Sequence, residues 1–388
     1  MRNTNQLLGI KREDGSIGIR NHLVIISTVA CANFVAESIA ARVPAAVACT
    51  HPYGCDQIGE DLTLTLRVLK NIGRHPNVGA VLVVGLGCEE IIPEELAQKI
   101  MDTGKPVETL IIQNEGGTTL SIRKGVEKCS KLKEFMQITK TLFELEDLVI
   151  GLECGGSDYT SGIAANPALG LVTEQLVSQG AKVVFGETTE ILGAEHILAQ
   201  KAASNKIKDF ITSKVCAVED AARKMRVDIR GAQPSPGNIK GGLSSIEEKS
   251  LGAISKTGDC AIVDMLEYAE PIRIPGLSFM DTPGNDLACT CGLVAGGAHM
   301  VLFTTGRGTP MGFAIAPVIK ITANSRAANL MAENIDVDLS DILLGTKSIK
   351  DGADGVVKKI VDVAKGELVA AEILGHREFG FHRIGPTL

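Results

Sequence analysis

The 388-residue chain has few aromatic side chains: it contains no tryptophan and three tyrosines, and aromatic residues make up 3% of the sequence. Proteins that bind single-stranded nucleic acid stack bases on such side chains, so this composition argues against that class of function. The net charge of −7 also argues against binding to a phosphate backbone, although a local basic pocket is compatible with it. Nucleic acid is therefore not an expected partner.

Long hydrophobic runs are also missing. No apolar segment approaches the ~20 residues that a membrane-spanning helix needs, and the first residues contain no apolar signal core. The ten cysteines are scattered along the chain and do not form a disulfide pattern, which favours reduced thiols or metal ligands. We expect a cytoplasmic enzyme without a membrane partner.

The length, 45% hydrophobic residues and 42 glycines favour an α/β enzyme with more than one domain. In the first part of the chain, apolar β-branched runs alternate with helical patterns. The predicted strands are 23–28, 45–50, 78–85 and 107–113, and the predicted helices are 33–42, 60–72, 93–103 and a segment from 117. Fully apolar strands between helices predict a Rossmann-like parallel sheet covered on both faces.

A charged stretch, 131–146, has a helical pattern and leads to a new strand at 148–152. We place the domain boundary there, so that residues 1–146 form the Rossmann-like domain and 147–388 a second α/β domain that carries catalysis. Its predicted strands are 181–185, 261–265, 277–280, 299–304 and 317–322. Its predicted helices are 169–179, long helical segments between 192 and about 225, and 355–364. The segment 231–242 is rich in Pro, Gly and Ser and is predicted to be irregular.

Four cysteines follow predicted strands: Cys31, Cys55, Cys88 and Cys154. The last three each stand between a glycine and an acidic residue. Ligands bind just beyond the carboxyl ends of the strands in open parallel sheets. Thiolates gathered there can hold iron or zinc, whereas a structural cysteine packs as a small hydrophobe. His51, four residues before Cys55, is the histidine placed best for a ligand. We predict a metal site on His51, Cys55, Cys88 and Cys154.

Two acids and a histidine come together after the apolar strand 181–185: Glu187, Glu190 and His196. Carboxylates at the end of a strand can bind a metal or act as general bases, and a nearby histidine can return the proton. The alternative is an acidic helix start, which the helix dipole favours in any protein. We predict catalytic roles for these three residues.

Two cations sit among glycines on predicted loops: Lys240 and Arg307. The planar fork of an arginine suits bidentate binding of a carboxylate, and glycines let the backbone approach a ligand closely. A solvated loop lysine is the alternative for Lys240. We predict that both cations bind a substrate carboxylate. No dinucleotide fingerprint or phosphate loop is complete, which disfavours NAD and ATP.

Sequence blocks along nearly the whole chain resemble the altronate/galactarate dehydratase family, in particular its large catalytic region. The blocks are Asp14-Gly-Ser-Ile-Gly-Ile-Arg-Asn, Gly54-Cys55, Arg74-His-Pro-Asn-Val, Val84-Gly-Leu-Gly-Cys-Glu, Gly116-Gly-Thr, Cys154-Gly-Gly-Ser-Asp-Tyr-Thr-Ser-Gly, Glu187-Thr-Thr-Glu-Ile-Leu-Gly-Ala-Glu-His, Ser235-Pro-Gly-Asn, Met280-Asp-Thr-Pro-Gly and Thr304-Thr-Gly-Arg-Gly-Thr.

The resemblance implies elimination of water from a 2-hydroxy acid. Altronate or galactarate would give a 2-keto-3-deoxy acid, with Fe²⁺ or Mn²⁺ as the cofactor. A related family member, the large subunit of sulfolactate sulfo-lyase, implies an alternative in which sulfite leaves and pyruvate forms. An iron–sulfur cluster on Cys55, Cys88 and Cys154, with one iron open to substrate, is the alternative cofactor.

The resemblance also implies a partner. Family dehydratases carry a small domain ahead of the large region, and here the first block begins at Asp14. We therefore expect a separate small subunit, and a homo-oligomer stays open. A non-catalytic metal-binding subunit is the alternative of another class. The joint presence of Glu187, Glu190, His196, Lys240 and Arg307 argues against it, because a scaffold needs only the core pattern.

Overall fold

The computed structural model describes residues 7–385, which form two parallel sheets and a small antiparallel one. The strands are β1 (Leu7–Lys11), β2 (Ile17–Gly18), β3 (His22–Ser27), β4 (Ala46–Cys49), β5 (Val78–Gly85), β6 (Val107–Ile111), β7 (Lys140–Phe143), β8 (Val149–Gly155), β9 (Lys182–Phe185), β10 (Ile262–Leu266), β11 (Gly276–Met280), β12 (Met300–Thr305), β13 (Val318–Thr322) and β14 (Val337–Asp338).

The α-helices of the same residues lie between these strands. They are α1 (Asn33–Ala40), α2 (Gly59–Arg74), α3 (Pro93–Met101), α4 (Ile112–Glu115), α5 (Thr118–Phe135), α6 (Asn166–Ser178), α7 (Glu195–Gln200), α8 (Asn205–Lys224), α9 (Ile229–Ala232), α10 (Pro236–Lys240), α11 (Ile246–Ile254), α12 (Asp286–Ala295), α13 (Ser325–Leu330), α14 (Ser340–Leu343), α15 (Ile349–Ala364) and α16 (Ala370–Leu374).

The first parallel sheet has four strands in the order β4-β3-β5-β6. Successive side chains of a strand point to opposite faces, and both faces are apolar here. Val81 and Val83 pack towards α2 and α3, while Leu82 and Val84 pack towards α1 and α5. The continuous apolar run therefore reflects helices on both sides of the sheet, and the predicted α/β class is confirmed.

The second parallel sheet has seven strands in the order β10-β11-β9-β8-β12-β13-β14. The chain goes from β8 to β9 on one side, and β12 lies against the other side of β8. Such a reversal leaves a crevice outside the carboxyl ends of the two central strands, where open α/β sheets bind ligands. The carboxyl ends of β8 and β12 are thus the expected place for a site.

Two predictions of local structure were wrong. The segment 131–146 is not one helix, because α5 ends at Phe135 and β7 pairs antiparallel with β1, Leu7 opposite Phe143. That partner is distant in sequence, so the local pattern did not reveal it. The segment 231–242 is also not irregular, since Ser235 caps α10 by accepting a hydrogen bond from the N–H of Asn238 at 3.4 Å.

The two parallel sheets are joined by buried polar contacts. The side-chain amide of Asn77, directly before β5, donates to two carbonyl oxygens. One is that of His299, directly before β12, at 3.0 Å, and the other is that of Ile315, shortly before β13, at 3.1 Å. The Arg20 guanidinium binds both carboxylate oxygens of Glu372 on α16, at 2.7 and 2.8 Å. Since buried polar groups are costly to leave unpaired, these contacts hold the sheets in one arrangement.

The last described residues return to the first sheet. The Tyr53 hydroxyl, in the loop after β4, donates to the carbonyl of Phe381 at 3.1 Å, and the N–H of Ile384 donates to Asp61 at 2.7 Å. Within residues 7–385, none of the helices combines the length and apolar composition needed to span a bilayer.

Candidate active site

Charged side chains are buried together beneath the carboxyl ends of the central strands of the second sheet. The oxygens of Glu153, Glu187 and Asp286 that face one another all lie within 4.8 Å. Glu190 and two lysines complete the group. We call it the carboxylate cluster; its members are Glu153, Glu187, Glu190, Asp286, Lys249 and Lys256.

The two lysines hold the glutamates from one side. Lys256 Nζ lies 3.5 Å from Glu187 Oε2 and 3.8 Å from Glu190 Oε2. Lys249 Nζ lies 3.3 Å from Glu190 Oε1. Exposure of Glu187, Glu190 and Lys256 is 1%, 5% and 2%, so these ion pairs are removed from water. Their electrostatic interactions are correspondingly stronger than at the surface.

The backbone around Glu187 is strained. This residue follows β9 with φ 67° and ψ 67°, a left-handed conformation that is uncommon for a non-glycine residue. Its N–H donates to the Thr282 hydroxyl at 2.6 Å, which fixes the turn. Gly186 has no room for a side chain, because a Cβ atom there would lie 2.4 Å from Thr282 Oγ1. Strain of this kind is concentrated at functional sites.

The charges of the cluster do not balance, because four carboxyl groups face two lysines. Burial raises the pKa of Glu153 to about 8, and both of its oxygens lack a hydrogen-bond partner among the described residues. Burial, with Glu153 next in effect, also raises the pKa of Glu187 well above its usual value. Burial alone would lower the pKa of Lys256, but Glu187 and Glu190 outweigh it and raise that pKa. At neutral pH the cluster therefore holds protons beside a charged lysine.

Arg307 and Lys240 come to the same edge of the second sheet. The Asn238 amide on α10 donates to the carbonyl of Ser157, just beyond β8, at 2.9 Å. A Cβ atom on Gly237 would lie 2.7 Å from Arg307 Nη1, so this helix also touches the loop after β12. Both cations are exposed, and within residues 7–385 neither forms an ion pair. They are free to bind an anion.

A cleft of ~950 Å³ opens beside the turn that carries Glu187. Its walls include the start of α2, the segment Asp281–Pro283 and the segment His382–Ile384. Thr282 lines the cleft and also accepts the hydrogen bond from the Glu187 N–H. The cleft thus lies between the first sheet and the loop that holds the catalytic candidate.

The four predicted metal ligands are not brought together. His51 is buried, and both of its ring nitrogens are occupied: Nε2 lies 3.0 Å from the Ser27 carbonyl oxygen and Nδ1 accepts the N–H of Tyr53 at 3.2 Å. Its ring packs 5.2 Å from that of Phe381, so this histidine anchors the end of the chain. Neither nitrogen is available to a metal in this arrangement.

Cys154 is separated from Cys55 and Cys88. It lies inside β8, fully buried, with its sulfur 3.1 Å from Ser157 Oγ. Burial raises the pKa of this thiol, with Glu190 next in effect. Cys55 and Cys88 are exposed on the first sheet, where Cys31 is their neighbour. All four cysteines follow predicted strands, but Cys154 lies on the second sheet, whereas Cys31, Cys55 and Cys88 lie on the first.

His196 lies exposed on α7, and the ion pairs of the carboxylate cluster do not include it. The sequence reasoning missed four members of the cluster: Glu153, Lys249, Lys256 and Asp286. A carboxylate in the otherwise apolar run Val149–Gly155 was a usable signal for Glu153, because charges are rarely buried without a reason. Lys256 ends a helical stretch and had no distinguishing pattern.

Two segments of the chain match models of known protein families. Residues 9–137 match the family model described as "D-galactarate dehydratase/Altronate hydrolase, second domain". Residues 145–387 match "D-galactarate/Altronate dehydratase, C-terminal". The chain belongs to the D-galactarate/altronate dehydratase family. Its relatives are dehydratases and a sulfo-lyase subunit, and the chain is accordingly a lyase of this family.

The relatives of this dehydratase-family chain differ in length. It is 36% identical to the (2R)-sulfolactate sulfo-lyase subunit beta of Chromohalobacter salexigens, and the match covers 97% of each chain. It is 35% identical to the altronate dehydratase of Escherichia coli, covering 97% of this chain and 78% of the relative. It is 33% identical to the galactarate dehydratase (L-threo-forming) of the same organism, covering 92% and 72%.

The shifted pKa of Glu153 predicts how stability depends on pH. With a folded-state pKa of about 8 against an ordinary value of 4.5, the folded chain keeps a proton that the unfolded chain releases. The contribution of this group to stability is therefore complete below pH 4.5 and is lost as the pH rises through 8. Glu153→Gln cannot ionise. The urea midpoint of this variant should therefore fall less than that of the wild type between pH 4.5 and pH 8, and above pH 8 it should be higher than that of the wild type.

The exposed Glu134→Gln is the matched control and should follow the wild type at every pH. Equal slopes of midpoint against pH in Glu153→Gln and the wild type would show that Glu153 is ionised in the folded state.

Proposed function

We propose that the chain is a metal-dependent hydro-lyase that removes water from a sugar acid such as altronate or galactarate and gives a 2-keto-3-deoxy acid. The observation that carries the proposal is the buried carboxylate cluster beside an edge that presents Arg307 and Lys240. Elimination from a 2-hydroxy acid needs an acceptor for the α-proton, a donor for the leaving group and cations for the carboxylate. The described residues supply each of these groups.

The proposed roles follow from the charges. Glu190, held by Lys249 and Lys256, accepts the α-proton. Glu187, whose pKa is raised first by burial and then by Glu153, carries the proton that the leaving hydroxyl needs. Lys256 stabilises the negative charge of the enediolate that forms between the two steps. His196 remains a predicted proton donor, although it lies outside the cluster.

The metal remains a proposal as well, with Fe²⁺ or Mn²⁺ expected. The chain offers two groups of ligands. The thiols of Cys55 and Cys88 suit iron, and the oxygens of Glu153, Glu187 and Asp286 suit manganese or ferrous iron. A bound metal would act as a Lewis acid on the substrate carboxylate and hydroxyl.

A second candidate is the sulfolactate reaction, in which sulfite leaves and pyruvate forms. The favouring observation is the match to the sulfo-lyase subunit beta, which covers 97% of both chains. Both reactions remove the proton next to a carboxylate and expel a group from the neighbouring carbon, so the same cluster serves either. A non-catalytic metal-binding subunit would have no use for a strained glutamate, Glu187, paired with the buried Lys256.

We further propose that a separate small subunit covers the edge of the first sheet. The name of the sulfo-lyase relative is that of a subunit, and more than a fifth of each dehydratase relative lies outside the match. At that edge three large apolar side chains are exposed at helix starts, Phe34 (66%), Ile58 (65%) and Ile92 (49%). Apolar residues grouped in this way are typical of interaction sites.

The acid–base roles predict a loss of turnover. Glu190→Gln and Glu187→Gln keep size but lose the ionisable group, and each should reduce kcat by ~100-fold or more. The assay is turnover of altronate, galactarate and sulfolactate, with urea midpoints to confirm folding. The exposed Glu333→Gln is the control and should keep full activity. Full activity of both cluster variants would assign the chemistry to other residues.

The anchoring roles predict weaker substrate binding. Arg307→Lys keeps the charge but loses the bidentate fork, which contributes about 1.5–3 kcal/mol for hydrogen bonds to charged groups. We expect kcat/KM to fall roughly 10-fold or more, and Lys240→Ala to raise KM. Arg273→Lys is the control, because Arg273 is exposed just before β11, at the opposite end of the sheet. Unchanged constants for Arg307→Lys and Lys240→Ala would place the carboxylate elsewhere.

The partner predicts a gain of activity on assembly. Co-expression with a small subunit of roughly a hundred residues should raise turnover well above that of the isolated chain. Phe34→Ser and Ile58→Ser should weaken co-purification, because they remove apolar area from the contact. Ile138→Ser is the control, since Ile138 is 78% exposed, shortly before β7 and outside that edge. Full turnover by the isolated chain would make the partner unnecessary.

A further inference from the structure

Three exposed thiols lie on neighbouring strand–helix connections of the first sheet. Cys31 is in the turn after β3, Cys55 in the loop after β4 and Cys88 in the loop after β5. The strands β4, β3 and β5 are adjacent and parallel, so these loops leave the sheet at one edge. All ten cysteines are described, and three of the four exposed ones are here. We call these three the thiol triad.

Hydrogen bonds donated by backbone N–H groups connect the loops that carry the triad. The N–H of Ala30, next to the first cysteine, donates to the carbonyl of Tyr53, two residues before the second, at 2.8 Å. The N–H of Asp56, next to the second cysteine, donates to Glu90 Oε1, two residues after the third, at 3.1 Å. In both hydrogen bonds, the donor residue and the acceptor residue each lie within two positions of a cysteine of the triad. The three loops therefore form one continuous surface.

The loop of Cys88 is held in a single shape by the neighbouring Glu89. Its carboxylate accepts the N–H groups of Leu86 (3.0 Å), Gly87 (2.6 Å) and Cys88 (2.9 Å). It also accepts the Thr28 hydroxyl at 2.5 Å, which fastens this loop to the end of β3. The acid is fully used in these bonds, and the thiol beside it is left exposed. A ligand would meet a prearranged group.

The triad has no structural partner of its own. Within residues 7–385, none of its three sulfur atoms takes part in a hydrogen bond. The buried thiols differ: Cys154 contacts Ser157, and Cys289 accepts the hydroxyl of Thr282 at 3.1 Å. Cysteines that serve packing are buried in this chain, whereas the triad is exposed where strands end.

The spacing of the triad argues against a single tetrahedral metal ion. Zn–S bonds of about 2.3 Å place the sulfurs of a tetrahedral single-metal site about 3.8 Å apart. Among the described residues, the group with ligand atoms all within 4.8 Å of one another is Glu153, Glu187 and Asp286, and the triad is not such a group. Thiolates are the usual ligands of iron–sulfur clusters, whose several irons bridge sulfurs that one ion does not reach.

We propose that Cys31, Cys55 and Cys88 bind an iron–sulfur cluster that has one iron without a cysteine ligand. This assigns the ligands differently from the predicted set, with Cys31 in the place of Cys154. The open iron would act as a Lewis acid on an oxygen of the substrate, a role that rests on the proposed lyase function. Binding of the cluster itself does not depend on that function.

The surroundings suit such a cluster when a partner is present. Phe34, Ile58 and Ile92 follow the three cysteines by three, three and four residues, and all are exposed. They stand at the starts of α1, α2 and α3, the helices that follow the three cysteines. A subunit seated on these three side chains would bury the cluster and keep water away from it.

The test is anaerobic reconstitution of the full chain with ferrous iron and sulfide, followed by iron and sulfide analysis, visible absorption and electron paramagnetic resonance. We expect about four irons and four sulfides per chain. Cys31→Ser, Cys55→Ser and Cys88→Ser should each lose most of the absorption and the iron. Cys216→Ser, at the other exposed cysteine, and Cys154→Ser should keep both.

A full spectrum in Cys31→Ser, or its loss in Cys154→Ser, would overturn the ligand assignment. One metal ion per chain without sulfide would overturn the cluster. The readouts need no substrate and are separate from turnover. A chain that binds the cluster but, co-expressed with the small subunit, eliminates neither water from the sugar acids nor sulfite from sulfolactate would confirm this inference and contradict the proposed function.

Discussion

Four carboxyl groups and two lysines share one water-poor space beneath the second sheet, and their charges do not cancel. Burying an ion costs free energy unless it is paired, and the cost is relieved when a carboxyl binds a proton. The raised pKa of Glu153 and Glu187, with burial as the largest cause, reflects this relief. A protein selected only for stability would place apolar side chains here, and the proposed acid–base chemistry gives a reason for the charged groups.

The strained turn at Glu187 depends on surrounding structure that is locked in place. The Thr282 hydroxyl accepts the hydrogen bond of the Glu187 N–H. The loop of Thr282 can come this close because Gly186 has no side chain. On the other side of the cluster, a Cβ atom on Gly155 would lie 2.4 Å from Asp286 Oδ2. Two glycines at strand ends thus let loops from other parts of the chain close around the carboxyl groups, which larger residues would keep apart.

Some of the family blocks serve assembly. Arg20, in the block that begins at Asp14, contacts Glu372 and the carbonyl of Val363, so it joins the first residues of the chain to the last helices. His75, in another block, is buried with Nε2 3.1 Å from the Ala298 carbonyl oxygen. These contacts hold the edges of the two parallel sheets in a fixed relation.

What the sequence by itself determined is the local structure with a buried, regular pattern. The strand Val78–Gly85 was predicted with the bounds it has, because all eight of its residues are buried and apolar or glycine. The α/β class and the position of Glu187 after a strand followed in the same way. Tertiary structure alone decided the partners. Lys256 meets Glu187 from 69 positions away, and β7 pairs with a strand at the other end of its domain. It also decided which cysteines lie at the same sheet edge. The strand order sets which loops are neighbours, and no single segment of the sequence determines that order.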